Sequence, residues 1–481
     1  MDFETDKTSG LFDNNFWAIV IGLIALEFWS FVAYAQIALM PVMFFLIAAI
    51  ILTVALKNLK WGLYLVISEL IIGGQGYLFF WPIGGIKISW RLGIFLLVFL
   101  IWLWRIIKER DFYWLKNKYL LALIPFGFLA VLGVVKAITM QTPLKDVFLD
   151  ANAFLYFGLI GAFISTKISF RDMAKIIMAA NLVLALKTVL TLFIFARGFS
   201  DIGHYLFYDW IRNTTLGEIA LIDWPLYRIF FQSHFYLLVS FFIILGLLFF
   251  NKWKKSECCW LFIIAWFDIL GLLISQSRSF WLVGVMTLVF FIILAIFKFK
   301  FKWQKIIWLV IITPVFVISG HLAVNFLIGD FNINLFFSRL SGGTAQVGVS
   351  SRQAQITPAL SAIKKAPLWG QGWGKKITYL SADPRIKNDQ NPTGTYSTYA
   401  LELGYLDLIL KIGLLGLTAY GLFLLLLAKS WLKLIFDKKQ QIGWLLGLVT
   451  LIIIHFFTPY LNHPLGIGYL LLLVSLAENK S

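Results

Sequence analysis

The chain has 481 residues, of which 60% are hydrophobic and only 14% are charged. Soluble domains average roughly 45–50% apolar and about 25% charged residues, so this composition excludes an ordinary soluble enzyme. The formal net charge is +17, but the basic residues stand in loops between apolar segments. That distribution favours a topology signal and attraction to lipid headgroups over nucleic-acid binding.

Fourteen apolar segments are candidate membrane spans, because a helix needs about 20 apolar residues to cross a bilayer. Three of them, at 91–106, 148–165 and 464–478, are short or interrupted, so the sequence predicts an all-α polytopic bundle of 12–14 transmembrane helices. The acidic start of the chain leads us to expect no cleavable signal peptide. The segments are 15–35, 37–56, 61–80, 91–106, 118–138, 148–165, 173–196, 229–250, 257–274, 279–297, 305–327, 404–427, 441–458 and 464–478.

Lysine and arginine cluster in alternate loops between these segments, which predicts a cytoplasmic amino terminus. The same alternation places 139–147, 197–228, 275–278 and 328–403 outside the cytoplasm. We therefore expect three parts along the chain. These are transmembrane helices 1–11 within 1–327, a long extracytoplasmic loop at 328–403 that contains short helices, and carboxy-terminal transmembrane helices within 404–481.

Several other kinds of chemistry have no support in the sequence. Cys258 and Cys259 are adjacent, and neighbouring cysteines rarely bridge each other. The five histidines are scattered, so we expect no metal and no cofactor. The glycine-rich run at 73–76 is not a phosphate-binding loop; it is predicted to lie within a span, where glycine allows close helix packing.

The loop at 328–403 is the only long polar segment in the second half of the chain. Its stretch from Arg352 to Lys365 is predicted to form a surface helix that ends before Pro367. Trp369 and Trp373 are expected either to anchor the loop at the membrane interface or to contact sugar rings, and Lys364 and Lys365 close the helix. The expected apolar face, turned toward the bundle, consists of Ile356, Ala359, Leu360 and Ile363.

Three arginines stand at the predicted outer ends of spans: Arg228, Arg278 and Arg352. A guanidinium group binds phosphate oxygens in a two-pronged fashion and stays charged at any working pH. The three side chains could therefore meet over one cavity and hold a diphosphate-linked lipid. The alternative for each is an interfacial arginine that extends to the lipid headgroups.

Acidic residues within spans are functional candidates by default, because charge is unfavourable in lipid. Glu27 and Glu69 are of this kind, although we favour plain interhelical hydrogen bonds for both. Asp407 and Lys411 are four residues apart on one helix face and are expected to pair.

The order of these motifs resembles the O-antigen ligase and polymerase superfamily. The resemblance covers about residues 220–430 and rests on Ser277-Arg278-Ser279, on Arg352 leading into Pro367-Leu-Trp-Gly-Gln-Gly-Trp-Gly374, and on Tyr405-Leu followed by Lys411-Ile-Gly-Leu-Leu-Gly416. It implies an inverting, metal-independent glycosyltransferase of the bacterial inner membrane, with its active site on the extracytoplasmic face. The donor would be a glycan on undecaprenyl diphosphate and the acceptor a glycan, lipid or protein. Arg278 and Arg352 would contact the diphosphate, with Arg228 as a third contact.

One position departs from the family pattern. Ligases of the superfamily typically carry a His-Asn pair before the Tyr-Leu, whereas this chain has Glu402 and Leu403. A carboxylate could serve as the general base instead, and this substitution fits the polymerase branch better. Glu402 could also simply stabilise a helix amino terminus. The alternative function is a transporter or flippase of lipid-linked oligosaccharide, but the single long loop makes the two halves unequal and favours the enzyme.

Overall fold

A computed structural model describes residues 10–198, 203–330, 344–383 and 386–478, and only the backbone at 203–204 and 344–349. Residues 1–9, on which the expected absence of a cleavable signal peptide partly rests, lie outside this range, as does part of the long loop. In the first half of the described chain the helices are α1 (Asn14–Ala35), α2 (Leu39–Lys57), α3 (Leu59–Ile72), α4 (Trp90–Glu109), α5 (Lys118–Thr139), α6 (Leu144–Ala151), α7 (Ile160–Ser165), α8 (Phe170–Ala196) and α9 (Tyr208–Asn213).

The second half continues the helical bundle. Its helices are α10 (Phe235–Phe250), α11 (Lys255–Ile274), α12 (Arg278–Phe297), α13 (Trp303–Ile328), α14 (Thr344–Ile363), α15 (Gly404–Asp437), α16 (Ile442–Ile454) and α17 (Pro464–Glu478). Helices α6 and α7 are joined by a 3-10 segment at Asn152–Leu159, and together they form one apolar stretch.

Eleven helical stretches of the described chain are long and apolar enough to cross a membrane. The shorter α3, α16 and α17 have 14, 13 and 15 residues. Each of the fourteen predicted segments contains one of these elements, so the predicted all-α polytopic bundle is confirmed. Helix α14, in the long loop, is not among the eleven, because its sequence is rich in polar and small residues.

Successive helices run in alternating directions, which gives the bundle two chemically different ends. At one end, here called the basic end, ion pairs join Lys60 to Asp172 at 2.8 Å and Lys118 to Glu478 at 3.6 Å. The opposite end, here called the loop end, carries the strands, the turn at 275–277, helix α14 and the segment 455–463. This division follows the alternation of basic loops in the sequence.

In the described part of the chain, three antiparallel strand pairs lie at the loop end and were not expected from the sequence. They are β1 (Phe80–Ile83) with β2 (Ile86–Ser89), β3 (Gly217–Asp223) with β4 (Leu226–Phe231), and β5 (Ile377–Leu380) with β6 (Thr395–Thr398). Most of these strands are only four residues long. In a chain this rich in apolar residues, such short strands show no clear alternation of polar and apolar side chains.

The glycine run at 73–76 does not lie within a span, so that prediction was wrong. Helix α3 ends at Ile72, and the run forms a turn in which Gly74 has φ +58° and Gly76 has φ +95°. A Cβ atom on Gly74 would lie 2.7 Å from the Cα of Leu216. Glycine is needed here because the turn packs directly against the backbone that leads into β3.

Helix α14 covers most of the predicted helix Arg352–Lys365, and its expected apolar face was only half right: Ala359 is buried and Ile363 packs against the same cluster. Ile356 and Leu360 are exposed, while the buried side consists of Ser351, Gln355 and Ala359. Ser351 and Gln355 lie 3.4 Å and 3.2 Å from the hydroxyl of Tyr379 on β5. The helix therefore packs through small and hydrogen-bonding side chains, which a search for apolar spacing does not detect.

The two acids within spans make interhelical hydrogen bonds, as we favoured, but their partners are buried cations, so each bond is also an ion pair. Glu69 accepts two hydrogen bonds from Arg91, at 2.8 Å and 3.1 Å. Glu27 accepts one from Lys187 at 2.6 Å, and Lys187 also donates to the carbonyl oxygen of Ile72 at 3.2 Å. All four charged side chains are buried. Pairing offsets part of the unfavourable desolvation of each charge in the bundle.

Candidate functional site

The long loop returns to the bundle through the glycine-rich turn, which docks into a break in α15. Gly413 has φ 72° and ψ −176°, so the helix is interrupted at this residue. The break leaves the carbonyl groups of Leu410 and Lys411 without helical partners. They accept hydrogen bonds from the backbone N–H groups of Gln371 at 2.6 Å and Gly372 at 3.0 Å. The turn thus supplies the hydrogen-bond donors that the interrupted helix lacks. This is expected, because buried backbone carbonyl groups are almost always paired.

Trp373 anchors the other side of this turn and corrects one sequence prediction. Its side chain is 1% exposed, and its indole N–H donates to the carbonyl oxygen of Ala130 at 2.8 Å. A buried indole with its donor already used cannot contact a sugar or the lipid interface. Trp369, by contrast, is 54% exposed. Its assignment to sugar or interface contact stays a prediction, as do those of the exposed Lys364 and Lys365.

Beneath the turn lies a buried cluster of two carboxylates and one ammonium group. Lys411 is 1% exposed and lies 2.7 Å from Asp407, so the predicted pairing is confirmed. Lys411 also pairs with Asp150, which accepts the backbone N–H of Gly374 at 2.7 Å. The sequence suggested no role for Asp150, since nothing in the chain's local pattern connects α6 with α15.

The second carboxylate of this cluster supports the backbone next to Glu402. Asp407 accepts the backbone N–H of Leu401 at 3.2 Å through Oδ1 and the side-chain amide of Asn462 at 2.8 Å through Oδ2. One buried side chain therefore holds the end of the long loop against the segment 455–463. This arrangement positions Glu402 without touching it.

Two of the predicted site residues, Arg352 and Glu402, form an ion pair. Nε of Arg352 lies 3.0 Å from Oε2 of Glu402, and the hydroxyl of Ser351 donates to Oε1 at 3.3 Å. The backbone N–H of Glu402 donates to the side chain of Gln355 at 3.0 Å. The arginine and glutamate side chains are 31% and 42% exposed, so both remain accessible from the loop end.

The other two arginines flank the turn at 275–277. Arg228, on β4, donates from Nε to the carbonyl oxygen of Ser275 at 3.3 Å and lies 3.6 Å from Glu218. Arg278 is the first residue of α12 and is partly buried. The rings of Phe230 and Phe280 stack at 5.9 Å and hold β4 against the start of α12. Arg228 therefore lies beside the turn that precedes Arg278, whereas the meeting of all three arginines over one cavity stays a prediction.

The segment 455–463 bridges these two groups. The carbonyl oxygen of His455 accepts the N–H of Gly404 at 3.1 Å, next to the Arg352–Glu402 pair. Farther along, the hydroxyl of Tyr460 donates to the carbonyl oxygen of Gln232 at 2.7 Å, and its ring lies 6.1 Å from that of Phe280. Within the described residues no direct contact joins the two groups of arginines. They share this segment as a common support.

Sequence reasoning missed His455. It is fully buried, and its Nδ1 accepts the N–H of Leu461 at 3.1 Å. Burial lowers its pKa to about 3, so the ring is neutral. Nε2 has no hydrogen-bond partner among the described residues. The ring contacts Gly404, whose hypothetical Cβ would lie 2.3 Å away. The resembling ligases carry their histidine at the position of Glu402. Here a histidine from the end of α16 lies beside Gly404, two residues from Glu402.

Residues 263–421 match the family model described as O-antigen ligase. No curated protein matches the chain. The matched region contains Arg278, Arg352, the glycine-rich turn and Glu402, whereas Arg228 lies outside it. The region from α11 to α15 is thus similar to the O-antigen ligase family, and the resemblance of this polytopic membrane protein to the O-antigen ligase-like superfamily is confirmed.

Proposed function

We propose that the protein is a membrane glycosyltransferase that transfers or polymerises glycan from an undecaprenyl-diphosphate donor in cell-surface polysaccharide biosynthesis. The observation that carries this proposal is the Arg352–Glu402 ion pair, formed within the O-antigen ligase-like region by residues 50 positions apart. In this pair a guanidinium group, of the kind that binds phosphate, lies beside a carboxylate, which can take a proton. The site would lie on the extracytoplasmic face of the bacterial inner membrane.

The arginines would bind the donor through its diphosphate. Glu402 uses the Nε side of Arg352. The two terminal nitrogens of that guanidinium would bind phosphate oxygens, and Arg278 and Arg228 would approach the donor from the turn at 275–277. Guanidinium–phosphate pairs are charge-assisted and directional, so they would increase the affinity for the donor and also set its orientation.

Glu402 would act as the general base. The acceptor hydroxyl attacks the anomeric carbon of the donor sugar while the bond from that carbon to the phosphate oxygen breaks. Undecaprenyl diphosphate leaves with the electron pair of that bond, and the hydroxyl proton passes to the carboxylate of Glu402. Attack opposite the leaving group inverts the anomeric configuration. When the diphosphate engages Arg352, it would compete with Glu402 for the guanidinium and release the carboxylate to meet the acceptor hydroxyl.

The acceptor can be a glycan, a lipid or a protein. A carboxylate at position 402, in place of the His-Asn pair of ligases, favours a growing glycan as acceptor and hence polymerisation.

Loss of the protein in its native host distinguishes polymerase, ligase and flippase. Accumulated single repeat units support a polymerase, whereas full-length polymer that fails to reach its acceptor supports a ligase. Donor trapped in the cytoplasmic leaflet would instead support the flippase.

The direct test is Glu402→Gln, assayed as glycan transfer in isolated membranes. We expect turnover to fall by about 10²–10⁴-fold, the usual contribution of a general base, with little change in donor binding. Glu257→Gln is the control, because Glu257 accepts the N–H of Leu11 at the basic end and should leave transfer unchanged. A Glu402→Gln rate within about threefold of wild type would contradict the assignment of the base, since such a small loss is well below a general-base contribution.

A further inference from the structure

A cavity of about 540 Å³ lies between α1 and α8, away from the charged groups of the candidate site. The short helix α9 and the last turn of α13 form its remaining walls. Its lining is almost entirely apolar and includes Ile24, Phe28, Phe31, Leu190, Phe193 and Phe207. We call this cavity the α1–α8 groove.

The groove opens sideways toward the bilayer. Ile24 and Phe28 on α1 and Leu190 on α8 are exposed, and both helices are candidate spans. The lining residues of α8 run from Val183 to Phe193, a rise of about 15 Å at 1.5 Å per residue. That length is about half of a hydrocarbon core. The lining residues lie in the halves of α1 and α8 nearest the loop end, so the groove spans the corresponding leaflet.

At its outer end the groove is continuous with the arginine-bearing hairpin. The indole N–H of Trp210, on α9, donates to the hydroxyl of Ser30 on α1 at 3.0 Å. Helix α9 leads directly into β3 and β4. The ring of Phe195, two residues beyond the last groove-lining residue of α8, lies 5.5 Å from the ring of Tyr227. Tyr227 immediately precedes Arg228.

A buried ion pair joins the two helices, α1 and α8, that form the walls of the groove. Glu27 and Lys187 both line the groove and are joined at 2.6 Å, with their side chains only 10% and 5% exposed. Lys187 is held in turn by the carbonyl oxygen of Ile72. These contacts join the two helices along the groove and define the spacing between its walls.

We propose that the α1–α8 groove holds the isoprenoid chain of the lipid-linked donor while the arginines hold its diphosphate. This inference rests on the proposed function. Lipid tails are as apolar as the groove, so the hydrophobic effect gives no preference for entry, and selectivity must come from packing. A methyl-branched, unsaturated isoprenoid chain has fewer rotatable bonds per carbon than a saturated acyl chain, so it loses less conformational freedom when it packs against the aromatic side chains of the groove.

The test uses the full-length protein in detergent with polyprenyl diphosphate that carries a photoreactive diazirine on its chain and no glycan. Ile24→Trp fills the groove and should reduce photolabelling about tenfold, equivalent to about 1.4 kcal/mol. Ile21→Trp is the matched control: Ile21 lies on the same helix, is also exposed and does not line the groove. It should label like wild type. Leu190→Trp, on the facing helix, should reproduce the loss if Ile24→Trp fails to fold.

Because this readout needs no glycan transfer, it is separable from the proposed function. Loss of labelling in the groove variants, with retention in Ile21→Trp, supports the groove as the isoprenoid site even if the chain proves not to be a transferase. Equal labelling in all variants overturns it. Equal labelling of the groove by a phospholipid with the same diazirine on an acyl chain also overturns it, since the groove would then bind lipid chains without selection.

Discussion

At the scale of single residues, the structure contrasts an ion pair that is accessible to solvent with a charged cluster that is buried. Arg352 and Glu402 pair at 3.0 Å but keep about a third or more of their side chains exposed. The Lys411 cluster, in contrast, is buried and satisfied by two carboxylates. We interpret the exposed pair as the reacting group and the buried cluster as its support, because a fully buried ion pair has no route to substrate.

The arginines provide the first residue-scale prediction. Arg278→Ala and Arg352→Ala should each lower glycan transfer at least about a hundredfold, because each removes a charge-assisted contact to the donor diphosphate. Lysine at either position should restore only part of the activity, since it has the charge without the forked donors. Transfer in membranes, normalised to protein level, is the measurement. Arg212→Ala, an exposed arginine on α9, is the control. Full activity in Arg278→Ala would exclude Arg278 from the site.

His455 provides a pH prediction. Burial lowers the pKa of its ring to about 3, below the ordinary 6.5. The unfolded chain therefore binds the proton more readily, and the stability contributed by the neutral ring is present above pH 6.5 and is lost as the pH falls toward 3. One such group contributes a slope of about 1.4 kcal/mol per pH unit in that window.

His455→Gln should make this acid sensitivity shallower, because glutamine has no proton to gain. Thermal unfolding in detergent between pH 7.5 and 5.5 measures the effect. Part of the slope should remain, since burial and Arg91 also lower the pKa of His463 to about 3. Parallel stability curves for wild type and variant would show that the His455 ring does not titrate as its burial implies.

At the scale of elements, the long loop is attached to the bundle by a helix that is broken to receive it. Backbone groups on both sides of Gly413 form hydrogen bonds with the turn. Before Gly413, the carbonyl groups of Leu410 and Lys411 accept from it. After Gly413, Leu414 donates to the carbonyl oxygen of Pro367 at 2.9 Å, and Leu415 donates to that of Leu368 at 3.2 Å. The loop and α15 therefore form one unit. Glu402, at the start of that unit, is placed by the docking of the turn.

Gly413→Ala tests this attachment. The residue has φ 72°, and a Cβ atom would lie 2.0 Å from the carbonyl oxygen of Leu368. We expect a loss of at least about 2 kcal/mol in stability from backbone strain and displacement of the turn. Thermal unfolding of the purified protein measures it. Gly421→Ala in the same helix is the control, since its Cβ would meet nothing within 4 Å. Equal melting temperatures for the two variants would contradict the docking.

At the scale of the whole molecule, the bundle separates a basic end from an end that carries the site. Such an arrangement suits an enzyme whose donor arrives within the membrane and whose product leaves outside. The groove between α1 and α8 would give the donor a lateral entrance to the loop end. The long loop has no counterpart in the first half of the sequence, which favours a one-sided catalytic site over alternating access.

Topology can be tested with the two native cysteines as internal controls. Cys258 and Cys259 lie at the start of α11, at the basic end, and Cys259 is exposed. In intact spheroplasts a membrane-impermeant maleimide should label Asn391→Cys in a background of Cys258→Ser and Cys259→Ser. The native cysteines of wild type should be labelled only after permeabilisation. The reverse pattern would place the candidate site in the cytoplasm and remove the basis for the proposed function.

The sequence by itself determined the class of the protein, its fourteen apolar segments and the alternation of its loops. These properties follow from the thickness of a bilayer and the retention of basic loops on one side, and both act on local composition. The motifs around Arg278, Arg352 and Glu402 also sufficed for the family resemblance. They contained no information about which arginine faces which carboxylate.

Only the tertiary structure decided how those residues meet. The pairing of Arg352 with Glu402, the place of Asp150 beside Lys411 and the burial of Trp373 each depend on contacts between segments far apart in the chain. In a sequence where nearly every helix is apolar on all sides, hydrophobic pattern does not show which face packs against which neighbour. Hydrogen bonds to interrupted backbone and a few buried charges select the arrangement instead, because unsatisfied polar groups are most unfavourable in a membrane.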